Sequence, residues 1–261
     1  MLPLKNRYHW LLKVRPGPLA DILKLILGVR RFQVDTSAGS FLIDPVSDLG
    51  DRLLCHGSYE PAMEKTLKRC LKPGGIFIDV GANEGYFSII ASRLVGHTGK
   101  VFAVEPQARL QKILRENVEL NGCKNVTVVP LAISARGGDL RLLLSPSTNT
   151  GSSSMIRATK YPLPGQLIHS CSLFELFDHY KISHCDLVKI DVEGYEGEVL
   201  EGATELLKSH RIFSIALEFH PFQLSKMGLT ADQIHLRLIQ YDYDRMKDSS
   251  VDLYLAHGKE L

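Results

Sequence analysis

Ile76-Phe77-Ile78-Asp79-Val80-Gly81-Ala82-Asn83-Glu84-Gly85-Tyr86-Phe87-Ser88 passes from a buried strand through a glycine turn into a helix without a spare residue. Ile76, Phe77, Ile78 and Val80 make a short apolar run suited to a strand covered on both faces, and Phe87, Ile90, Ala91 and Leu94 then recur at helical spacing. Gly81 and Gly85 frame the turn. Glycine tolerates positive φ and lets backbone approach a ligand, while the following helix offers unpaired N–H groups, so the turn reads as a small-molecule binding loop.

The charges around the loop narrow the ligand. A dinucleotide fingerprint needs glycine at the first, third and sixth positions, which here are Gly81, Asn83 and Tyr86, so two of three fail. Glu84 sets a carboxylate beside the helix N-terminus, where a pyrophosphate would sit, and Asp79 adds a second acid nearby. This suits a ligand with positive charge, such as the ammonium and sulfonium of S-adenosylmethionine, whose carboxylate still finds the helix amides. The same Glu84 also reads simply as a favourable first-turn charge on the helix dipole.

Strands and helices alternate outward from this stretch. Val101–Val104, ending at Glu105-Pro106, is a second buried strand; a helix is expected over Ala108–Leu120, a third strand over Asn125–Val129, and a further strand over Leu140–Leu144. Leu187-Val188-Lys189-Ile190 is a fourth buried strand, followed by one helix carrying Val199, Leu200, Ala203, Leu206 and Leu207. Another strand is expected over Ile212–Phe219, a helix over Thr230–Gln240 and a last strand over Val251–Ala256. The pattern implies a doubly wound, mostly parallel α/β sheet with right-handed crossovers, and ligands at the carboxyl ends of its strands. Upstream, Leu19–Gly28 reads as an amphipathic helix whose apolar face packs by default on the domain, a partner chain or a membrane surface being the alternatives; Arg31–Pro45 reads as a β-hairpin turning at Ser37-Ala38-Gly39, and Ser58–Leu71 as a helix entered through Glu60-Pro61. The expected division is an N-terminal extension over 1–57 and a catalytic domain over 58–261, with a Ser/Thr/Pro/Gly-rich irregular segment over 145–165 that the sequence leaves open between a lid, a substrate loop and a disordered stretch.

Composition bounds the partners. With 31 Lys+Arg against 29 Asp+Glu the chain carries a net charge of +2, so no polyanion footprint is present and nucleic acid is not an expected partner. Five cysteines without a C-x-x-C pair suggest neither a disulfide framework nor a zinc site, which fits a reducing, cytoplasmic location. Leu19–Val29 is too short and, with Asp21 and Lys24, too charged to span a bilayer, so membrane contact is not expected.

Two groups of residues carry candidate chemistry. Glu105 follows Gly85 by 20 residues at a strand end, where a carboxylate accepts hydrogen bonds from a ribose diol. Asp191 and Glu193 end the fourth strand, and His220, with an ordinary pKa of about 6.5, follows Glu218 at the next; each is a candidate base for removing a proton from a hydroxyl acceptor. Asp191, Glu218 and His220 would also suit a divalent ion if the strand ends converge, although no metal is predicted.

Phe77-Ile78-Asp79-Val80-Gly81-Ala82-Asn83-Glu84-Gly85-Tyr86, Glu105-Pro106 and Leu187-Val188-Lys189-Ile190-Asp191-Val192-Glu193-Gly194-Tyr195-Glu196, in that order and spacing, resemble the FkbM-type methyltransferases. Tyr59-Glu60-Pro61 and Gly151-Ser152-Ser153-Ser154 share the likeness, which runs from about Phe32 to His220. The resemblance implies a seven-stranded S-adenosylmethionine-dependent methyltransferase sheet and O-methylation of a sugar, glycolipid or natural-product hydroxyl. It also implies a cofactor site formed by Glu60, Asp79, Gly81, Ala82, Asn83, Gly85, Tyr86, Glu105, Pro106 and Ala132, and an acceptor side formed by Asp191, Glu193 and His220. Phe174 stands where the family often carries an acid, and the Asn-Pro-Pro-Tyr segment of exocyclic-amine methyltransferases is absent. A nicotinamide oxidoreductase and a non-catalytic cofactor-binding module remain the alternatives.

Overall fold

The protein, described from a computed structural model over residues 6–145, 165–246 and 251–260, is organised on a central seven-stranded sheet. In chain order the elements begin with a 3-10 turn His9–Lys13, α1 Gly17–Ile26, the antiparallel hairpin β1 Phe32–Thr36 and β2 Gly39–Ile43, α2 Asp48–His56 and α3 Pro61–Cys70. They continue with β3 Ile76–Val80, α4 Tyr86–Val95, β4 Lys100–Val104, α5 Ala108–Leu120, β5 Val126–Val129, β6 Ala132–Ile133, β7 Gly138–Leu142, β8 Gln166–Cys171 and α6 Leu173–His179. The last stretch holds β9 Leu187–Ile190, α7 Glu196–Glu201, α8 Thr204–Lys208, β10 Ser214–Leu217, α9 Pro221–Lys226, α10 Ala231–Gln240, β11 Tyr243–Arg245 and β12 Asp252–Ala256.

The sheet order is β11-β12-β10-β9-β3-β4-β5, with β12 antiparallel to both of its neighbours and the other pairings parallel. From β3 the chain winds outward through β4 and β5, then returns to β9 on the other side, so the order reverses at β3 and opens a crevice there. This is the Rossmann-like methyltransferase sheet that the sequence implied. One face packs Ile78, Val80, Phe102, Val188 and Ile190 against α6, α7, α8 and α10; the other packs Phe77, Val101 and Leu187 against α3 and α4. The hairpin belongs to that second core through fully buried Phe41 and Ile43. It is held there by Asn117, which accepts from the Leu42 amide at 2.7 Å and donates to the Glu84 carbonyl at 2.9 Å.

Two sequence expectations change, and two features come in addition. Helix α1 does not bury its leucines: Ala20 and Lys24 face inward and Leu19, Ile22, Leu25 and Ile26 face outward, because Lys24 pairs with buried Asp44. The single helix expected after β9 is broken into α7 and α8 at Gly202, whose carbonyl accepts from the Phe174 amide and where a Cβ would stand 2.2 Å from the Ser134 carbonyl oxygen. A three-stranded sheet, β6-β8-β7, and the helix α2, capped by Ser47 accepting from the Gly50 amide, were not anticipated. Residues 146–164, with the Gly151–Ser154 motif and nearly all of the expected lid loop, lie outside the described residues.

Candidate active site

The parallel ladder runs one rung past the strands, and this places the site. The Glu105 amide donates to Val129, the Asp191 amide to Val80 and the Glu218 amide to Ile190, so β4, β9 and β10 each deliver an acidic residue to the same sheet edge. Strand β3 delivers Gly81 instead. Its φ is +84°, and a Cβ there would stand 1.9 Å from the Asp191 carbonyl oxygen, so only glycine lets the loop close on the end of β9.

One cavity lies at this reversal point, with Gly81, Asn83, Glu105, Pro106, Ala132 and Asp191 among its walls; Gln107 and Glu193 also reach it. The Glu105 carboxylate is 5% exposed and accepts the Asn83 amide at 2.9 Å and the Gln107 amide at 2.8 Å. Burial pushes its pKa up to about 7, opposed by those two amides. Two oxygens fixed by backbone amides keep lone pairs available for a ribose diol.

Not every residue expected around the cofactor lines this cavity. Asp79 is buried under α4, where its Oδ2 accepts from Ser88 at 2.7 Å and its Oδ1 lies 3.7 Å from Lys189 Nζ. Ala82 packs with Ala103 and Leu114, and Gly85 sits against Leu114 at the start of α4. Tyr86 is buried among Phe41, Tyr59 and Phe87 and donates its hydroxyl to Glu64 at 2.6 Å. Glu60, at the head of α3 with φ of +44°, lines a neighbouring cleft with Glu218, and burial raises its pKa. Glu84 requires a correction of cause: it is 2% exposed and paired with Arg31 at 2.6 Å, so its charge serves to tie the hairpin to the loop and is not offered to a cationic ligand.

The acids that remain are on the β9 and β10 side. Lys189 Nζ lies buried between Asp79 and Asp191, 3.2 Å from Asp191 Oδ2, and although burial opposes it, Asp191 and Asp79 hold the lysine charged. Sequence reasoning passed over this lysine, whose signal was a lone cation within the apolar run Leu187–Ile190. His220 Nδ1 lies 2.8 Å from Oε1 of fully buried Glu196, while Nε2 faces Asp191 at 3.8 Å and Glu193 at 3.7 Å. Burial alone would lower the His220 pKa, but the Glu196 hydrogen bond and the Glu193 and Asp191 charges raise it to about 9. At neutral pH it is an imidazolium that donates hydrogen bonds, and the expectation of a free base with an ordinary pKa does not hold in this setting. Glu218, though exposed at the rim, is pushed up to about 7 by partial desolvation and by Asp191 and Glu60, so on this side of the crevice it is a carboxylate poised to exchange a proton near neutrality.

Asp191, Glu218 and His220 converge as the strand-end argument required: their potential ligand atoms lie within 4.8 Å of one another. Glu193 and Asn83, with φ of +50° and +51°, are held in the left-handed region on either side of the crevice. Strain of that kind, of order 1–3 kcal/mol for each residue, persists where the surroundings over-determine the backbone.

The profile of the methyltransferase FkbM domain matches residues 79–245. The chain therefore belongs to the FkbM methyltransferase family. Over 145 residues it is 32% identical to the hexuronic acid methyltransferase AglP of Haloferax volcanii, covering 54% of each chain. A 71-residue stretch is 41% identical to the ribosomal protein L11 methyltransferase of Caldanaerobacter subterraneus, over 24% of this chain and 22% of that protein. The chain thus spans about half, or less, of the length of these relatives. Among solved structures, the methyltransferase FkbM of Methylobacillus flagellatus superposes with a TM-score of 0.46 at 18% identity, over 69% of this chain and 43% of that one.

Proposed function

We propose that the protein transfers the methyl group of S-adenosylmethionine to a hydroxyl oxygen of a neutral sugar or sugar-bearing lipid. The observation that carries the reading is continuity: the cavity against Glu105 shares Asp191 and Glu193 with the cluster that holds His220. A nucleoside held by Glu105 would direct its sulfonium toward those side chains. In the transfer the S–CH3 bond breaks with its electron pair left on sulfur, giving S-adenosylhomocysteine. The O–CH3 bond forms, and the hydroxyl proton passes to a carboxylate. Glu218 takes the proton in this scheme, and the His220 imidazolium orients the acceptor oxygen by hydrogen bonding.

The charge balance also bears on the acceptor. Glu60, Asp191, Glu193 and Glu218 outnumber Lys189 and His220 around the crevice, so a sulfonium is favoured there and an acceptor carrying its own carboxylate is repelled. AglP is a hexuronic acid methyltransferase; the reading here is that this chain prefers the neutral counterpart. Calorimetric titration with S-adenosylhomocysteine, followed by methyl-transfer assays on matched neutral and uronate glycosides, tests both parts. Absence of cofactor binding removes the whole proposal. Binding without transfer to any hydroxyl leaves a non-catalytic cofactor-binding module, and preference for the uronate overturns the charge argument.

A further inference from the structure

Helix α1 is inside out for a helix that packs on a globular domain. Its inward residues are Ala20 and Lys24, while Leu19, Ile22, Leu25 and Ile26 form one outward stripe, with Leu25 82% and Ile26 72% exposed. Leu27 continues the apolar surface, and the preceding 3-10 turn presents Trp10, 49% exposed. Burying a lysine stem and leaving four large aliphatic side chains in water is the reverse of what core packing selects, so the stripe calls for something to cover it.

The charge of the same segment indicates what covers it. Residues 1–31 carry seven Lys or Arg and one Asp, a net of +6, in a chain whose net charge is +2; the remaining 230 residues therefore carry −4. Lys24 and Arg31 are engaged with Asp44 and Glu84, whereas Arg7, Lys13, Arg15 and Arg30, which bracket the apolar stripe along the chain, are exposed. The single acid, Asp21, acts on partly buried Arg109. An apolar stripe flanked by cations matches the depth profile of an anionic lipid surface, with hydrocarbon under the side chains and phosphates at the level of the guanidinium groups. A second copy of the chain would bring the same positive charge against itself. A span is excluded by length, since a ten-residue helix is about 15 Å long, and no helix among the described residues is long and apolar enough to cross a membrane.

We propose that the segment from Trp10 to Arg30 docks this protein on the surface of an anionic lipid bilayer, with α1 lying in the interface plane. The docking segment neighbours the candidate site on its other side, because Arg31 binds Glu84 of the glycine loop and Arg109, which feels the charge of Asp21, donates to the Ser145 carbonyl at 2.6 Å and to Gln107. Docking is independent of the reaction proposed above, and its test does not involve turnover.

Trp10 is the only tryptophan in the chain, so its emission reports on this face alone. The full chain is mixed with vesicles of phosphatidylcholine containing phosphatidylglycerol, and separately with pure phosphatidylcholine vesicles, and followed by emission and co-sedimentation. Expected results are a blue shift and sedimentation with the anionic vesicles only, a partition coefficient falling at least tenfold when salt is raised to 0.5 M, and a loss of similar size in Leu25→Glu/Ile26→Glu. These positions are exposed, so that variant keeps its S-adenosylhomocysteine affinity, which verifies folding. Equal binding to neutral vesicles, unchanged binding of the variant, or no vesicle binding with a dimer that the variant dissociates would each overturn the proposal.

Discussion

The two halves of the sheet edge solve the placement of charge in opposite ways. On the half formed by the glycine loop and β4, Glu105 takes two backbone amides and Glu84 takes Arg31, while the β3 acid Asp79 is drawn into the network of the other half. On the β9-β10 half the charges hold one another, with Lys189 between Asp79 and Asp191, and His220 among Glu196, Asp191 and Glu193. Backbone amides do not titrate, so the first half is a surface whose behaviour depends on single carboxylates. The second is a coupled set in which moving one proton alters every neighbour, which is the property a proton-accepting site requires.

Breaking the second half should have the largest effect. Lys189→Met leaves Asp79 and Asp191 facing each other without a cation, and removing one member of a buried pair costs about 3–5 kcal/mol. Calorimetric unfolding should show Tm lowered by roughly 10 °C. Adding Asp79→Asn should recover part of that loss, and a single variant as stable as wild type would show that the network is not coupled. On the first half, Glu105→Ala should weaken S-adenosylhomocysteine binding at least ~100-fold, from two charge-assisted bonds of about 1.5–3 kcal/mol each. Glu218→Gln should leave that affinity within a few-fold while lowering turnover; equal losses in both variants would erase the distinction between the halves.

The pH profiles sharpen the contrast. A ribose diol bound at Glu105 would favour its ionised form, so on that proposal cofactor affinity should climb as pH rises through about 7 and level above it. At saturating cofactor, turnover should instead be bell-shaped, rising through about 7 as Glu218 ionises and falling through about 9 as His220 loses its proton. Glu218→Gln should remove the acid limb of turnover and leave the affinity profile intact. His220 also enters stability. Its folded pKa lies above its unfolded one, so its contribution is complete below about 6.5 and is lost as pH rises through about 9. Denaturant titrations of His220→Gln should accordingly approach wild type between those values. The smallest effect expected is that of Asn117→Ala, about 1–2 kcal/mol from the loss of the clamp between the hairpin and the glycine loop.

The sheet was legible because its strands are continuous apolar runs bounded by glycine or acid, a pattern that burial on both faces imposes locally. That Gly81, Asn83, Glu105, Pro106 and Ala132 line one cavity was legible for a related reason: each stands at or near the end of such a run, where a parallel ladder opens at the sheet edge. Tyr86, Ala82 and Gly85 shared that sequence neighbourhood but not its direction, since the turn rotates successive side chains into the core beneath the loop. Glu84 misled the charge argument because its partner is 53 residues upstream. The segments 146–164 and 247–250 lie outside the described residues, so the lid expectation is neither met nor corrected.

By itself the sequence determined the elements, the winding of the sheet and the acids at its edge, all of which follow from local periodicity and from short-range turn chemistry. Tertiary structure alone decided which acids are free to act. Whether a carboxylate faces an amide, an arginine or another carboxylate depends on residues 22 to 53 positions away, as for Asn83 with Glu105 and Arg31 with Glu84. It also turned α1 over: one buried aspartate, Asp44, drew Lys24 inward and left the leucines facing out.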